Sequence, residues 1–293
     1  MMKLTIAGIR RGNLFSPNHI GNDAAVFLQT AEHLRSSGYT VNEYIESDLL
    51  TREIPEKILF NMVRDRQSVR RLQQLEDEGR LVINSAYGVE NCTREKMTRR
   101  LLSCGIAHPR SLFLRTGEDP VEAIREAGFY NCWVKRGDFH AIHREDVTYV
   151  RHPDEAKDIL KEFAMRGIET AVVNEHLAGD LIKFYGVAGT TFFYWFYPSD
   201  TGYGKFGLEQ INGTARGYPF DGEQLQTLGN DAAEALNIRI YGGDCIVSED
   251  GRIRLIDFND WPSFAPCRDR AVPHIAACIL DEIHSWRNPI SEP

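Results

Sequence analysis

Apolar and polar residues alternate along two arms of the segment 242–260, and the arms meet at Glu249-Asp250-Gly251. A period of two marks strands with one face in the core, and an Asp-Gly pair between two such runs marks a tight hairpin. Earlier in the chain, short apolar runs at 4–9, 40–45, 58–63 and 81–83 predict four strands. Between them Ala24, Ala25, Phe27, Leu28, Ala31 and Leu34 recur at helical spacing, and Gly38 ends that helix. Val69, Leu72 and Leu75 predict a second helix that stops at Gly79. Strands alternating with helices predict a small open α/β sheet with parallel strands.

Beyond residue 90 the order changes. A helix over 93–104 leads to Gly105 and Pro109. Strands at 110–114, 132–135, 146–150 and 170–174 alternate with helices near 120–127 and over 153–166. Apolar runs at 181–187 and 191–197, separated at Gly189, predict an antiparallel pair. The stretch 198–222 is rich in Gly and polar residues and reads as loop. A helix over 224–236 precedes the hairpin, and a last helix covers 271–286.

Composition narrows the class. The 293 residues are 42% hydrophobic and 26% charged, which is a globular balance in a chain long enough for two domains. A net charge of -8 argues against nonspecific nucleic-acid binding but permits a local basic pocket for an anionic nucleotide. No apolar run reaches the length of a membrane span. The start, 1–8, reads as a first strand rather than a signal peptide. Six scattered cysteines without C-x-x-C spacing are expected to be buried free thiols of a protein in a reducing cytoplasm.

Candidate chemistry concentrates in the hairpin. Asp257 and Asn259 are two apart on one strand and share a face, with Asp244 on the facing strand. Two carboxylates and an amide oxygen are hard ligands of the kind Mg2+ takes when phosphates supply other positions. The alternative is an ordinary hairpin with polar residues on its wet face. Arg10 and Arg11 follow the first strand in the loop 10–18, where open α/β sheets bind ligands, and suit a carboxylate or phosphate; a solvated connection is the alternative. His140 and His143 are an i,i+3 pair without a third ligand and make a poor zinc site. Neither a G-x-x-x-x-G-K-[ST] loop nor a G-x-G-x-x-G after the first strand is present.

The order of features from Lys96 onward resembles the ATP-grasp superfamily, in particular glutathione synthetase and RimK-like ligases. The segment 84–109, with Lys96 on its helix and Gly105-Ile106 before Pro109, resembles the helix that leads into that fold. Trp133-Val134-Lys135-Arg136-Gly137 resembles its lid strand, and Val172-Val173-Asn174-Glu175-His176-Leu177 its adenine hinge. Gly179-Asp180, the strand holding Lys183, and Asp244 with Asp257-Phe258-Asn259 complete the series. The resemblance implies an ATP-grasp fold: an N-terminal parallel α/β domain over 1–90, and an ATP-grasp domain over 91–293 with a lid at about 109–175. It implies ATP with Mg2+, two ions being expected and Mn2+ an alternative. Lys96 and Lys135 would reach the phosphates, Lys183 would face them, and Glu175 and Leu177 would hold adenine by backbone groups. Asp180 would meet the ribose, Asp244, Asp257 and Asn259 would hold metal, and Arg216 would steady an acyl phosphate. The implied activity joins a small-molecule carboxylate to an amine. The loop 135–143 departs from the pattern, keeping one glycine where the family has several. Two other readings stay open: a small-molecule kinase, since the inositol-phosphate kinase branch also carries a histidine in this loop and a strand similar to Ile182-Lys183-Phe184-Tyr185, and a nucleotide-binding protein without catalysis. Oligomeric state is left open.

Overall fold

The computed structural model describes residues 4–15, 20–198 and 211–287. The chain is of the α/β class and carries one parallel and two antiparallel sheets, each four-stranded. The first sheet comprises β1 (Thr5–Arg10), β2 (Thr40–Ile45), β3 (Ile58–Asn61) and β4 (Leu81–Ile83), in the order β2-β1-β3-β4. Its strands are parallel because helices α1 (Ile20–Ser36) and α3 (Arg66–Asp77) carry the chain back between them. Alternation along β1 sends Ile6 to one core with Phe27 and Phe60, and Ala7 and Ile9 to another with Leu72 and Leu75. Two short helices, α2 (Asp48–Thr51) and α4 (Ala86–Asn91), are additions to the sequence reading; they are too short to show a helical period. The last strand of the sheet leads into Asn84, whose buried amide bonds both ways with the backbone of Ile240 and so joins this sheet to the third.

The second sheet comprises β5 (Ser111–Arg115), β6 (Cys132–Arg136), β7 (Val147–Val150) and β8 (Thr170–Glu175), in the order β5-β8-β6-β7. Helices α6 (Val121–Glu126) and α7 (Pro153–Met165) cover one face, where Cys132 and Val134 meet Ile124, Leu160 and Phe163. Alternation leaves Trp133 and Lys135 on the opposite face.

The third sheet comprises β9 (Asp180–Val187), β10 (Phe193–Phe196), β11 (Ile240–Val247) and β12 (Ile253–Asp260), in the order β10-β9-β11-β12. Helices α5 (Arg94–Ser103) and α8 (Gly222–Leu236) pack on its core face against Ile182, Phe184, Cys245 and Leu255. The final helix, α9 (Arg268–Arg287), lies beside α1. Gly179, before β9, has a φ of +152°, and a Cβ there would stand 2.3 Å from the Val247 carbonyl oxygen. Only glycine permits that approach.

β12 contains a bulge. Cys245 pairs with Leu255 and Asp244 with Asp257, so Ile256 is an extra residue. Ile253 and Leu255 point into the core. Without the extra residue Asp257 would follow them; with it, Phe258 takes the core position and Asp257 and Asn259 turn to the open face.

All six cysteines are unpaired; five are buried, whereas Cys104 is exposed because it ends α5 at the surface. No helix among the described residues is long and apolar enough to cross a membrane. The start at 1–3, residues 16–18 of the arginine loop, and 199–210 of the Gly-rich stretch lie outside the described residues.

Candidate active site

A cavity of about 290 Å3 lies where the three sheets meet. Its floor is the open face of the third sheet. Leu181, Lys183 and Tyr185 rise from β9, and Gly242, Asp244 and Ile246 from β11. Ile256, Asp257 and Asn259 rise from β12 on the far side of the bulge. One wall is the second sheet, with Trp133, Lys135, Val147, Asn174 and Glu175, followed by Leu177. Around Trp133, Val147, Leu177, Leu181 and Ile246 the surface is apolar. The Trp133 indole N–H donates to Nδ1 of His176 at 3.2 Å, which fixes the ring against the wall.

Charge gathers toward the other end. Lys183 Nζ donates to both oxygens of Asp244, at 3.1 and 3.0 Å. Arg94, buried in the first turn of α5, donates to both oxygens of Asp257 at 2.7 and 3.1 Å. Burial alone would push the Asp257 carboxyl up. Arg94, helped by Lys135 and His140, outweighs that and holds it well below the usual carboxylate range. Lys135 is buried and donates to the Ile256 carbonyl at 3.1 Å. Burial, followed by the nearby Arg94 charge, lowers its ammonium group to about 7 against the opposing pull of Asp257 and Asp244.

The inner end is closed by residues far apart in sequence. Arg11 donates to Asp23 at 3.0 Å, to the Met62 carbonyl at 3.1 Å and to the Trp261 carbonyl at 2.9 Å. It is therefore a strut between the first sheet and the turn after β12, rather than a solvated loop residue. Arg64 lies 3.2 Å from Asp260, and His140 Nε2 lies 3.7 Å from the same carboxylate.

Seven of the ten sequence-derived site residues therefore share one cleft: Lys135, Glu175, Leu177, Lys183, Asp244, Asp257 and Asn259. The other three lie outside its wall. Lys96 is exposed and paired with Glu90 at 2.6 Å, because it occupies the outer face of α5. Asp180 is buried, and its oxygens accept from the backbone N–H groups of Arg216 and Tyr218 at 2.7 and 2.8 Å. Arg216 itself is exposed and donates to the Tyr218 hydroxyl at 3.0 Å. The sequence reading missed Arg94, Arg64 and Asp260. For Arg94 a signal existed: it is three residues before Met97 and seven before Leu101, which face the core. The partnerships made by Arg11 and Arg64 span 12 to 250 positions and leave no local pattern.

Among the described residues no three His, Cys, Asp or Glu side chains are grouped as a metal site. Asp244, Asp257 and Asn259 supply hard oxygens on one face, a set that fits Mg2+ when phosphate oxygens add to it.

His108 sits behind the wall, beside Pro109. Its Nδ1 meets the Pro109 carbonyl at 3.0 Å, so Nδ1 carries the proton, and Nε2 has no partner among the described residues. Burial lowers its pKa to about 3, with Lys135 and Arg94 acting in the same direction. An unfolded histidine titrates near 6.5. The neutral ring therefore contributes fully above that pH, and its contribution is lost as pH falls toward the folded value. Between pH 7 and pH 5 the loss should be about 2 kcal/mol. Urea unfolding at both pH values is expected to show wild type losing that much more than His108→Asn. Equal losses would mean that His108 does not set the acid response.

No protein-family model matches the chain, and no curated protein matches it by sequence. Solved structures do match. D-alanine–D-alanine ligase from Bacillus anthracis complexed with ATP aligns over 98% of this chain and 99% of its own, with a TM-score of 0.70 and 13% identity. The ATP-grasp ligase PsnB, complexed with a precursor variant, Mg and ADP, aligns over 96% and 99%, with a TM-score of 0.60 and 14% identity. A RimK domain ATP-grasp protein from Sphaerobacter thermophilus aligns over 95% and 99%, with a TM-score of 0.67 and 16% identity. At these identities the likeness is one of fold.

Proposed function

From the ATP-grasp fold of this chain, we propose that it is an ATP- and Mg2+-dependent ligase that joins a small-molecule carboxylate to an amine through an acyl phosphate. The observation that carries this reading is a single cleft lined by Asp244, Asp257 and Asn259 together with Lys183, Lys135 and Arg94. Such a mixture suits a polyphosphate together with its metal: the cations meet phosphate oxygens and the carboxylates meet the ion. The apolar end beside Glu175 and Leu177 takes the adenine. In domain terms, 1–90 is the N-terminal domain and 91–293 the ATP-grasp domain, with 109–175 as lid.

Asp244, Asp257 and Asn259 would hold Mg2+, two ions or their Mn2+ equivalents, which would offset charge on the transferred phosphoryl group. A carboxylate oxygen of the acid attacks the γ-phosphorus, the bond to the β,γ-bridging oxygen breaks, and ADP leaves. The amine nitrogen then attacks the acyl carbon, the C–O bond to phosphate breaks, and the nitrogen gives up a proton. Lys135 and Lys183 orient the phosphates and steady the transferred group by charge. Arg216 and Lys96 are assigned to phosphate on the family pattern alone, and each would have to leave Tyr218 or Glu90 to reach it. Asp180 is assigned to the ribose hydroxyls on the family pattern alone, and its oxygens would have to leave the backbone N–H groups of Arg216 and Tyr218 to reach them.

The test is a matrix of acids and amines scored for ADP and phosphate. The ligase reading expects free phosphate and ADP only when acid and amine are both present. Phosphate retained on product would indicate a kinase, and ATP binding without turnover across the matrix a non-catalytic protein.

A further inference from the structure

Both carboxylates assigned to metal are already held by a cation. Lys183 covers Asp244, and Arg94 covers both oxygens of Asp257. The Phe258 backbone N–H adds a third bond to Asp257, at 2.8 Å. A carboxylate engaged in this way offers little to a divalent ion until its cation moves. A guanidinium keeps its charge at any pH a protein tolerates, so Arg94 can move only toward another anion. Within the cleft, that anion is the phosphate chain of the nucleotide. Lys96, two positions along the same helix, is 53% exposed and bound to Glu90, so α5 presents Arg94 and not Lys96 to the cavity.

We propose that Arg94 is a phosphate-binding residue of the nucleotide site, and that Arg94 and Lys183 are exchangeable counter-cations. They neutralise Asp257 and Asp244 before binding and pass to phosphate oxygens when metal takes the carboxylates. This rests on the reading of the cleft as a nucleotide site. One consequence is that metal enters with the nucleotide rather than ahead of it. A second is a sign reversal that a mere structural strut would not produce. Arg94 opposes bare metal and favours nucleotide, so its removal should move the two affinities in opposite directions.

The test uses the full chain with Arg94→Gln. Mn2+ alone is titrated by loss of the free-ion paramagnetic resonance signal, and ATP without metal is titrated by calorimetry. Mn2+ is expected to bind about tenfold more tightly than to wild type and ATP about tenfold more weakly, the size of one charge-assisted contact. If both affinities fall together, or neither changes, Arg94 is a structural residue and the proposal is overturned. If wild type binds neither ATP nor its metal complex, the functional reading beneath the proposal fails instead. Should Arg94→Gln not fold, Lys183→Gln examines the same exchange at Asp244, where both side chains reach solvent. The same reversal is expected there, and parallel losses would again overturn the proposal.

Discussion

Replacing Asp257 with alanine should lower Mg-ATP turnover by on the order of a thousandfold or more, because it removes a preorganised charged ligand from a partly dry cleft. The position is demanding for two reasons. The bulge at Ile256 aims the side chain at the cavity, and Arg94 behind it is buried. Alanine would leave that guanidinium without its anion, a loss that costs stability as well as turnover. Asp257→Asn keeps the shape and one acceptor oxygen and should fold more readily, so the pair separates the two effects. Circular dichroism checks the fold, and ADP release at saturating ATP and Mg2+ checks the chemistry. Turnover equal to wild type in either folded variant would remove Asp257 from the mechanism.

The second large effect concerns ATP itself. Lys135 reaches the cleft from the second sheet and Lys183 from the third, so the two should approach the phosphates of a bound ATP from different sides. Lys135→Met keeps the apolar stem and deletes the charge. ATP affinity should fall by roughly 1–3 kcal/mol, the usual size of a charge-assisted hydrogen bond. Adenosine should bind almost as before, because Glu175 to Leu177 is untouched. With its ammonium group near 7 before binding, Lys135 should take up a proton when phosphate arrives, and ATP affinity should weaken as pH rises past neutrality. Calorimetry with both ligands, in buffers of different ionisation heat, reads the affinity and the proton together. Unchanged ATP affinity in Lys135→Met would take the lysine out of the site.

Much of this architecture can be read along the chain, because period-two and period-3.6 patterns are local. The strands at 40–45 and 81–83 match the observed limits residue for residue. The antiparallel pair around Gly189 and the hairpin at Asp250-Gly251 also stand where the apolar runs place them. The bulge leaves a fainter mark. Its trace is the doublet Leu255-Ile256, two apolar residues where strict alternation expects one, and it decides which way Asp257 points. The helix over 94–103 shows a different limit. Spacing from Met97 and Leu101 puts Arg94 on the inward face, while the family pattern draws attention to Lys96 on the outer one. At the inner end of the cleft, legibility stops. Arg11 meets Trp261, and Arg64 meets Asp260, only after three sheets have come together. No window along the sequence contains such a pair.

The most direct measurement of the central claim follows oxygen from the acid to the phosphate. An acid carrying oxygen-18 in its carboxylate is incubated with ATP, Mg2+ and an amine that the matrix identifies as a partner, and the released phosphate is analysed by mass. A ligase working through an acyl phosphate transfers one labelled oxygen to phosphate for every amide formed. Unlabelled phosphate accompanying amide formation, or phosphate that stays on the product, would contradict it.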